Sequence, residues 1–239
     1  KPMGESGIHV NQILLLKSLL DLHYQKQNDA YVCADMFLYY EEGNPAKNVS
    51  PDVMVILGVP KYERKSFFTW KEGKSPDVVF EITSESSYLY DTTTKLKLYQ
   101  KLGVKEYFIF NPLAEPMTLE NALIGYRLEK KANPLIKQED EKVVSKVMGV
   151  ELVLYERHLR LRNPRTQKLI PTLEEACAHM QLAEEARELA EEARELAENK
   201  VQEEAKAREL AENKALEEAK GDEKKAEEFY KKALRDRQE

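Results

Sequence analysis

A mixed α/β sheet flanked by helices, followed by a long polar helix, is the fold class this sequence predicts. Three observations predict it. Up to Asn111, short apolar runs of strand length alternate with stretches of helical period. Between residues 118 and 160 the pattern turns to a β meander. From Leu182 onward the chain is almost only Ala, Glu, Lys, Arg and Leu. Nearly all aromatic and β-branched residues, with the single Trp70, precede that tail. The expected division is a globular domain over residues 1–172 and a charged helical tail over residues 173–239.

Each element has a local reason. Residues 9–27 carry Val10, Ile13, Leu14, Leu16, Leu19, Leu20 and Leu22 on one broad apolar face, so they predict a helix. AYVCADMFLYYE (30–41) is β-rich and alternating and predicts one strand. Gly43, Asn44 and Pro45 punctuate a turn. SPDVMVILG (50–58) and PDVVFEITS (76–84) are continuous apolar runs, as expected at a sheet centre. A longer polar connection joins them. DTTTKLKLYQKLG (91–103) opens on Asp91 as an N-cap candidate and ends on Gly103 as a C-cap candidate. VKEYFIFNP (104–112) is a further strand. LIGYRLEKK (123–131) and the segment from Lys142 to Asn163 complete the meander.

The tail repeats RELAEEA and RELAENK. Leu182, Leu189, Leu196 and Leu210 share one heptad phase, and Ala186, Ala193 and Ala207 share the other seam position. Lys200, Glu203, Lys214 and Glu217 fall on the same seam. Two readings stand: a long solvated helix, or a weak oligomerising coil.

The bulk composition narrows the function. The formal net charge of −6 argues against a large non-specific nucleic-acid surface while leaving room for a small basic cleft. Cys33 and Cys177 have no metal or redox spacing, so a reducing compartment is expected. No run of 18 apolar residues and no signal peptide is seen; a soluble, cytoplasmic protein without membrane contact is the expectation.

Chemistry is suggested by acids placed in apolar strands. Asp77 and Glu81 point to one face of a strand but sit about 13 Å apart at roughly 3.3 Å per residue, too far to share an ion. Asp52 opens the other apolar strand. If the two strands are neighbours, Asp52 and Glu81 approach within about 5 Å. Two carboxylates that close repel unless a divalent cation lies between them. A hydrolytic site also needs a cation near the developing negative charge. The residue two beyond Glu81 on the same face is Thr83, but Lys95 on the next helix has a stem long enough to reach back. Lys95 shares a helix face with Asp91 and Tyr99, while Lys97 diverges from it by about 200°. Lys61, Arg64 and Lys65, with Lys71 and Lys74, make the best local candidate for a phosphate-facing loop.

These motifs resemble a known family. P-D-V-x-V at 51–55, P-D-V-V-x-E-I-x-S-x-S at 76–86, D-x-x-x-K-x-x-x-Y at 91–99 and G-V-x-E-Y at 103–107 together look like the Uma-two family of restriction endonucleases, within the PD-(D/E)XK nuclease superfamily. The resemblance covers about residues 8–115. It implies a restriction endonuclease-like mixed central sheet with an α-β-β-β-α-β core, here with an extra β meander and a long C-terminal helix. It implies a metal-dependent endonuclease acting on DNA and leaving 5′-phosphate ends, with Mg²⁺ as cofactor and Mn²⁺ as substitute. Asp52 matches the motif aspartate, Glu81 the second acid and Lys95 the lysine, with Asp52, Glu81 and the Ile82 carbonyl as metal ligands. Thr83 at the usual lysine position departs from the superfamily pattern. His9 and Gln12 lie where related proteins place polar cleft residues. Homodimers are common among such nucleases, and the tail offers a means.

Two other classes remain open at this stage: an inactive nucleic-acid-binding relic of the fold, and a scaffold that oligomerises through the tail. Asp52, Glu81 and Lys95 each have an ordinary reading alone, as a strand start, an edge carboxylate and a surface lysine. Their joint presence at family spacing favours the nuclease.

Overall fold

The computed structural model describes residues 7–128, 135–136 and 138–235. The chain forms two compact units, residues 1–176 and 177–239. In the first, α1 (Gly7–His23) leads to β1 (Ala30–Ala34), β2 (Leu38–Tyr39), β3 (Asn48–Val49), β4 (Val53–Leu57) and β5 (Phe67–Phe68). The short helix α2 (Thr69–Glu72) precedes β6 (Val78–Ile82). A single helical run follows: α3 (Tyr88–Tyr90), a π-helical turn (Asp91–Lys95) and α4 (Leu96–Leu102). Then come β7 (Glu106–Phe110), α5 (Leu119–Ala122) and β8 (Leu123–Arg127). The short β9 (Gln138–Glu139), β10 (Lys142–Ser145), β11 (Val150–Tyr155) and β12 (His158–Arg162) close the β region, and α6 (Leu173–Arg235) ends the chain.

The main sheet has the order β1-β4-β6-β7-β8. Its one parallel pair is β6 with β7; parallel neighbours need a crossover, and the helical run 88–102 supplies it. Alternation along the central strands feeds two cores. Val53, Val55, Val78, Phe80 and Ile82 face α1, which contributes Ile13, Leu16, Leu19 and Leu20. Met54, Ile56 and Val79 face the opposite way, toward Tyr99 and Tyr107 and the inner residues Leu38 and Phe67 of the small β3-β2-β5 sheet. The β12-β11-β10-β9 sheet adds Val143, Leu152, Leu159 and Leu161 to the α1 side. No helix among the described residues is long and apolar enough to cross a membrane.

Three sequence expectations change. The run 30–41 is not one strand: Asp35 takes a positive φ of 47°, and the chain leaves the main sheet there to start the small one. The meander splits, because β8 pairs with β7 while β9–β12 form their own sheet; residues 129–131 of the expected strand 123–131 lie outside the described residues. Asp91 does not cap a helix, since the run begins earlier, at Tyr88, and the Asp91 N–H already donates to the Ser87 carbonyl at 2.9 Å. Gly103 does end α4 in the left-handed region, at φ 82°.

α6 starts with a capping box. The Glu175 N–H donates to Thr172 Oγ1 at 3.1 Å, and the Thr172 N–H donates to Glu175 Oε2 at 2.8 Å. Arg160 on β12 pairs with the same Glu175 at 2.7 Å.

Gly125 on β8 lies opposite Phe108 of β7: a Cβ there would lie 2.9 Å from Cε1 of the fully buried Phe108. Gly125→Ala is therefore expected to destabilise the fold by about 1–3 kcal/mol, since overpacking displaces a core ring. Urea denaturation checks this; an unchanged midpoint would refute the tight packing.

Candidate active site

The site follows from strand register. β4 and β6 are antiparallel, with Val53 opposite Phe80, so the next position outward sets Asp52 opposite Glu81. By the alternation, both belong to the sheet face that α4 covers. Asp52 sits just before β4 and its Oδ2 accepts the Ile82 N–H at 2.6 Å. His9, in the first turns of α1, places Nε2 3.6 Å from the same oxygen. Glu81 is buried, with 1% of its surface exposed.

The helical run supplies Glu81's partners. Lys95 Nζ stands 2.7 Å from Glu81 Oε2, and the Tyr99 hydroxyl donates to Oε1 at 2.6 Å. Lys95 also pairs with Asp91 Oδ1 at 3.1 Å. Asp91 is buried in turn and accepts a hydrogen bond from Thr83 Oγ1 at 2.8 Å. Thr83 thus holds the aspartate that holds the lysine. The π turn spans Asp91–Lys95, a widening of the helix frequent at functional sites. Lys97 is exposed, as the helical geometry requires.

Burial pushes the Glu81 carboxyl up to about 8; Lys95 opposes the shift, and the neighbouring charge of Asp52 adds to it. Burial pulls the Lys95 ammonium down, but Glu81 and Asp91 outweigh it and hold its pKa above the ordinary value. Burial raises the Tyr99 hydroxyl well above its usual range, so it acts as a donor. The cluster concentrates three carboxylates, of Asp52, Glu81 and Asp91, and one ammonium at the end of two central strands. Among the described residues, no group of three or more His, Cys, Asp or Glu side chains is placed to hold a metal ion.

A family model described as "Uma2: Putative restriction endonuclease" matches residues 1–154. The chain belongs to the Uma2 family. No curated protein matches it. Among solved structures it is similar to one described as a putative nuclease belonging to DUF820 from Anabaena variabilis, at 18% identity and a TM-score of 0.46, covering 62% of this chain and 76% of that one.

In this Uma2 protein, Asp52, Glu81, Ile82, Lys95 and His9 come together. Other expected site residues do not. Gln12 is fully buried, and both ends of its amide are engaged with β12: Nε2 donates to the Leu159 carbonyl and Oε1 accepts the Leu159 N–H, each at 3.2 Å. It ties α1 to the second sheet rather than lining a cleft. Lys61 donates to the Tyr24 carbonyl at 2.5 Å. Arg64 lies against the Tyr31 and Tyr62 rings and donates to both Glu72 oxygens, at 2.8 and 3.1 Å. Tyr31 pairs with Ile56, four residues along β4 from Asp52, or about 13 Å. Lys65 is exposed in the same loop. This loop leaves β4 at the end away from Asp52, which is why the structure does not bring it into the cluster. Asp77 occupies that far end too, buried and paired with Lys74 at 2.9 Å and Lys105 at 2.8 Å. A groove of about 790 Å³ along Met117, Leu119, Val153, Tyr155 and Arg162 contains none of the cluster residues.

Asp91 and Tyr99 were legible only as a cap and a packing residue. Their i, i+4, i+8 spacing with Lys95 was the signal that the three line one helix face, where Lys95 and Tyr99 meet Glu81 and Asp91 meets Lys95.

Two outcomes follow. Arg64→Ala is expected to lower stability by about 1–3 kcal/mol, through the carboxylate it leaves behind; an unchanged urea midpoint would contradict the pairing with Glu72. Glu81 carries the second. Its folded pKa lies above the unfolded value, so its contribution is fully present below about 4.5 and is lost as pH rises toward about 8. In metal-free buffer, Glu81→Gln should flatten the fall in denaturation midpoint across that window. A parallel fall in both proteins would contradict the assignment.

Proposed function

We propose that this Uma2 protein is a metal-dependent endonuclease that hydrolyses phosphodiester bonds in DNA. The observation that carries the reading is the Lys95 ammonium held 2.7 Å from buried Glu81, with Asp52 opposite in the strand register. An acid pair and a lysine converging at the end of two central strands are what phosphodiester hydrolysis requires of a protein: a place for a cation and a fixed positive charge.

The donor set fits a hard divalent ion. Asp52, Glu81 and the Ile82 carbonyl offer oxygen only, and Mg²⁺ is commonly held by one or two carboxylates with water and phosphate completing its shell. Mn²⁺ accepts the same ligands. When bound, the ion supplies neutralisation of phosphate charge and acidification of a water. The chain's own residues do the positioning. Tyr99 and Lys95 fix the Glu81 carboxylate in one orientation. Thr83 and Asp91 fix Lys95, whose ammonium offsets negative charge gathering on the phosphoryl oxygens. The Ile82 N–H holds Asp52 Oδ2, and His9 stands beside that carboxylate, where a phosphate backbone approaching Asp52 would meet it.

Cleavage of plasmid and oligonucleotide DNA with Mg²⁺ or Mn²⁺ tests this. The wild type should cut, and Asp52→Ala, Glu81→Ala and Lys95→Ala should each lose about 10²-fold or more. Undiminished cutting by all three variants would sink the assignment. So would a wild type that neither cuts any substrate nor binds metal by calorimetry.

A further inference from the structure

The second unit is a continuation of α6, one uninterrupted helix from Leu173 to Arg235. Its seam leucines lie open: Leu182 is 63% exposed, Leu189 66%, Leu196 64% and Leu210 71%. One seam position reads Leu182, Leu189, Leu196, Glu203, Leu210, Glu217; the other reads Ala186, Ala193, Lys200, Ala207, Lys214, Gly221. The charged members decide how two such helices can meet. In a parallel, in-register pair each seam residue faces its own copy. Lys200, Glu203, Lys214 and Glu217 then form four like-charge layers, each costly when facing residues are desolvated.

An antiparallel pair sets one seam position against the other. With Lys200 opposite Glu203 of the second copy, the two-fold axis repeats the pair as Glu203 opposite Lys200. The neighbouring layers become Ala193 with Leu210 and Leu196 with Ala207, where a small residue receives a large one. Further out, Leu189 meets Lys214, whose aliphatic stem packs while its head reaches water. At the flank, Glu185 meets Lys220. Ala186 then faces Glu217. Sliding this arrangement by one heptad either way puts Lys200 against leucine and Glu203 against alanine, with no charge partner; sliding it by two heptads can pair Lys200 with Glu217 and Glu203 with Lys214, but it keeps one Ala–Leu layer, Ala207 with Leu210, where the register above has two. We infer that α6 pairs with α6 of a second copy of this chain, antiparallel, in the register that joins Lys200 to Glu203.

Sedimentation equilibrium of the full chain tests the pairing across roughly 1–100 μM. The wild type should dimerise. Lys200→Glu should weaken the dimer about tenfold or more, because two carboxylates then face each other. The charge swap K200E/E203K should restore it. Circular dichroism separates lost association from lost helix. A wild type that stays monomeric over this range would overturn the inference. A K200E variant that associates like the wild type, or a swap that fails to restore association, would overturn the antiparallel register.

Discussion

An unpaired carboxylate buried in a central strand costs several kcal/mol and is retained only where partners meet both of its oxygens. Glu81 is such a group, and it is the constraint on which the α4 side of the sheet depends. Lys95 and Tyr99 must both come from one helix and reach one carboxylate. That fixes where the helical run crosses the sheet and how it is rotated about its own axis. The π turn falls in the segment that must deliver Asp91 and Lys95 together. Tyr99 in turn packs edge-on to Tyr107 of β7, with ring centroids 5.0 Å apart, so the polar cluster and the apolar core share a wall.

The remaining polar contacts divide by end of the sheet. Asp52, Glu81, Asp91 and Lys95 gather where β4 begins and β6 ends. Asp77, Lys74 and Lys105 gather at the other end, where Asp77 also accepts the Leu57 N–H at 2.8 Å. Both ends bury acids beside lysines, so local charge pattern alone does not tell a candidate site from a structural clasp. At the first end, however, two carboxylates stand opposite each other and share too little positive charge to neutralise both. At the second, one aspartate is matched by two lysines and a backbone N–H. The first end therefore carries an excess of acid that the second does not.

Much of the framework could be read along the chain. The order of helix, strands, helix and strand up to Asn111 follows from period and punctuation, and Asp52, Glu81 and Lys95 stood out because charges at those places in apolar or motif-bearing runs demand a reason. The errors have physical causes. Asp35 was hidden inside a β-rich run, where a single residue of positive φ leaves no compositional trace. Gln12 was assigned to a cleft from the resemblance to related proteins, and a helix pattern does not say which strand its polar residue meets. Arg64 carried charge suited to phosphate, but a guanidinium can equally be taken up by a nearby carboxylate and aromatic rings, as Glu72, Tyr31 and Tyr62 do here.

By itself, the sequence determined the kinds and order of the principal elements, the long polar helix, and the pair of apolar strands that carry Asp52 and Glu81, because periodicity and the misfit of a charge among apolar neighbours are local properties. Only the tertiary structure decided that Asp52 lies opposite Glu81, that Thr83, Asp91 and Lys95 form one chain of contacts, and that the basic loop belongs to the other end of β4. Those facts depend on strand register and on the rotation of a helix over a sheet. Register and rotation are settled by packing among residues far apart in sequence, which no local pattern encodes.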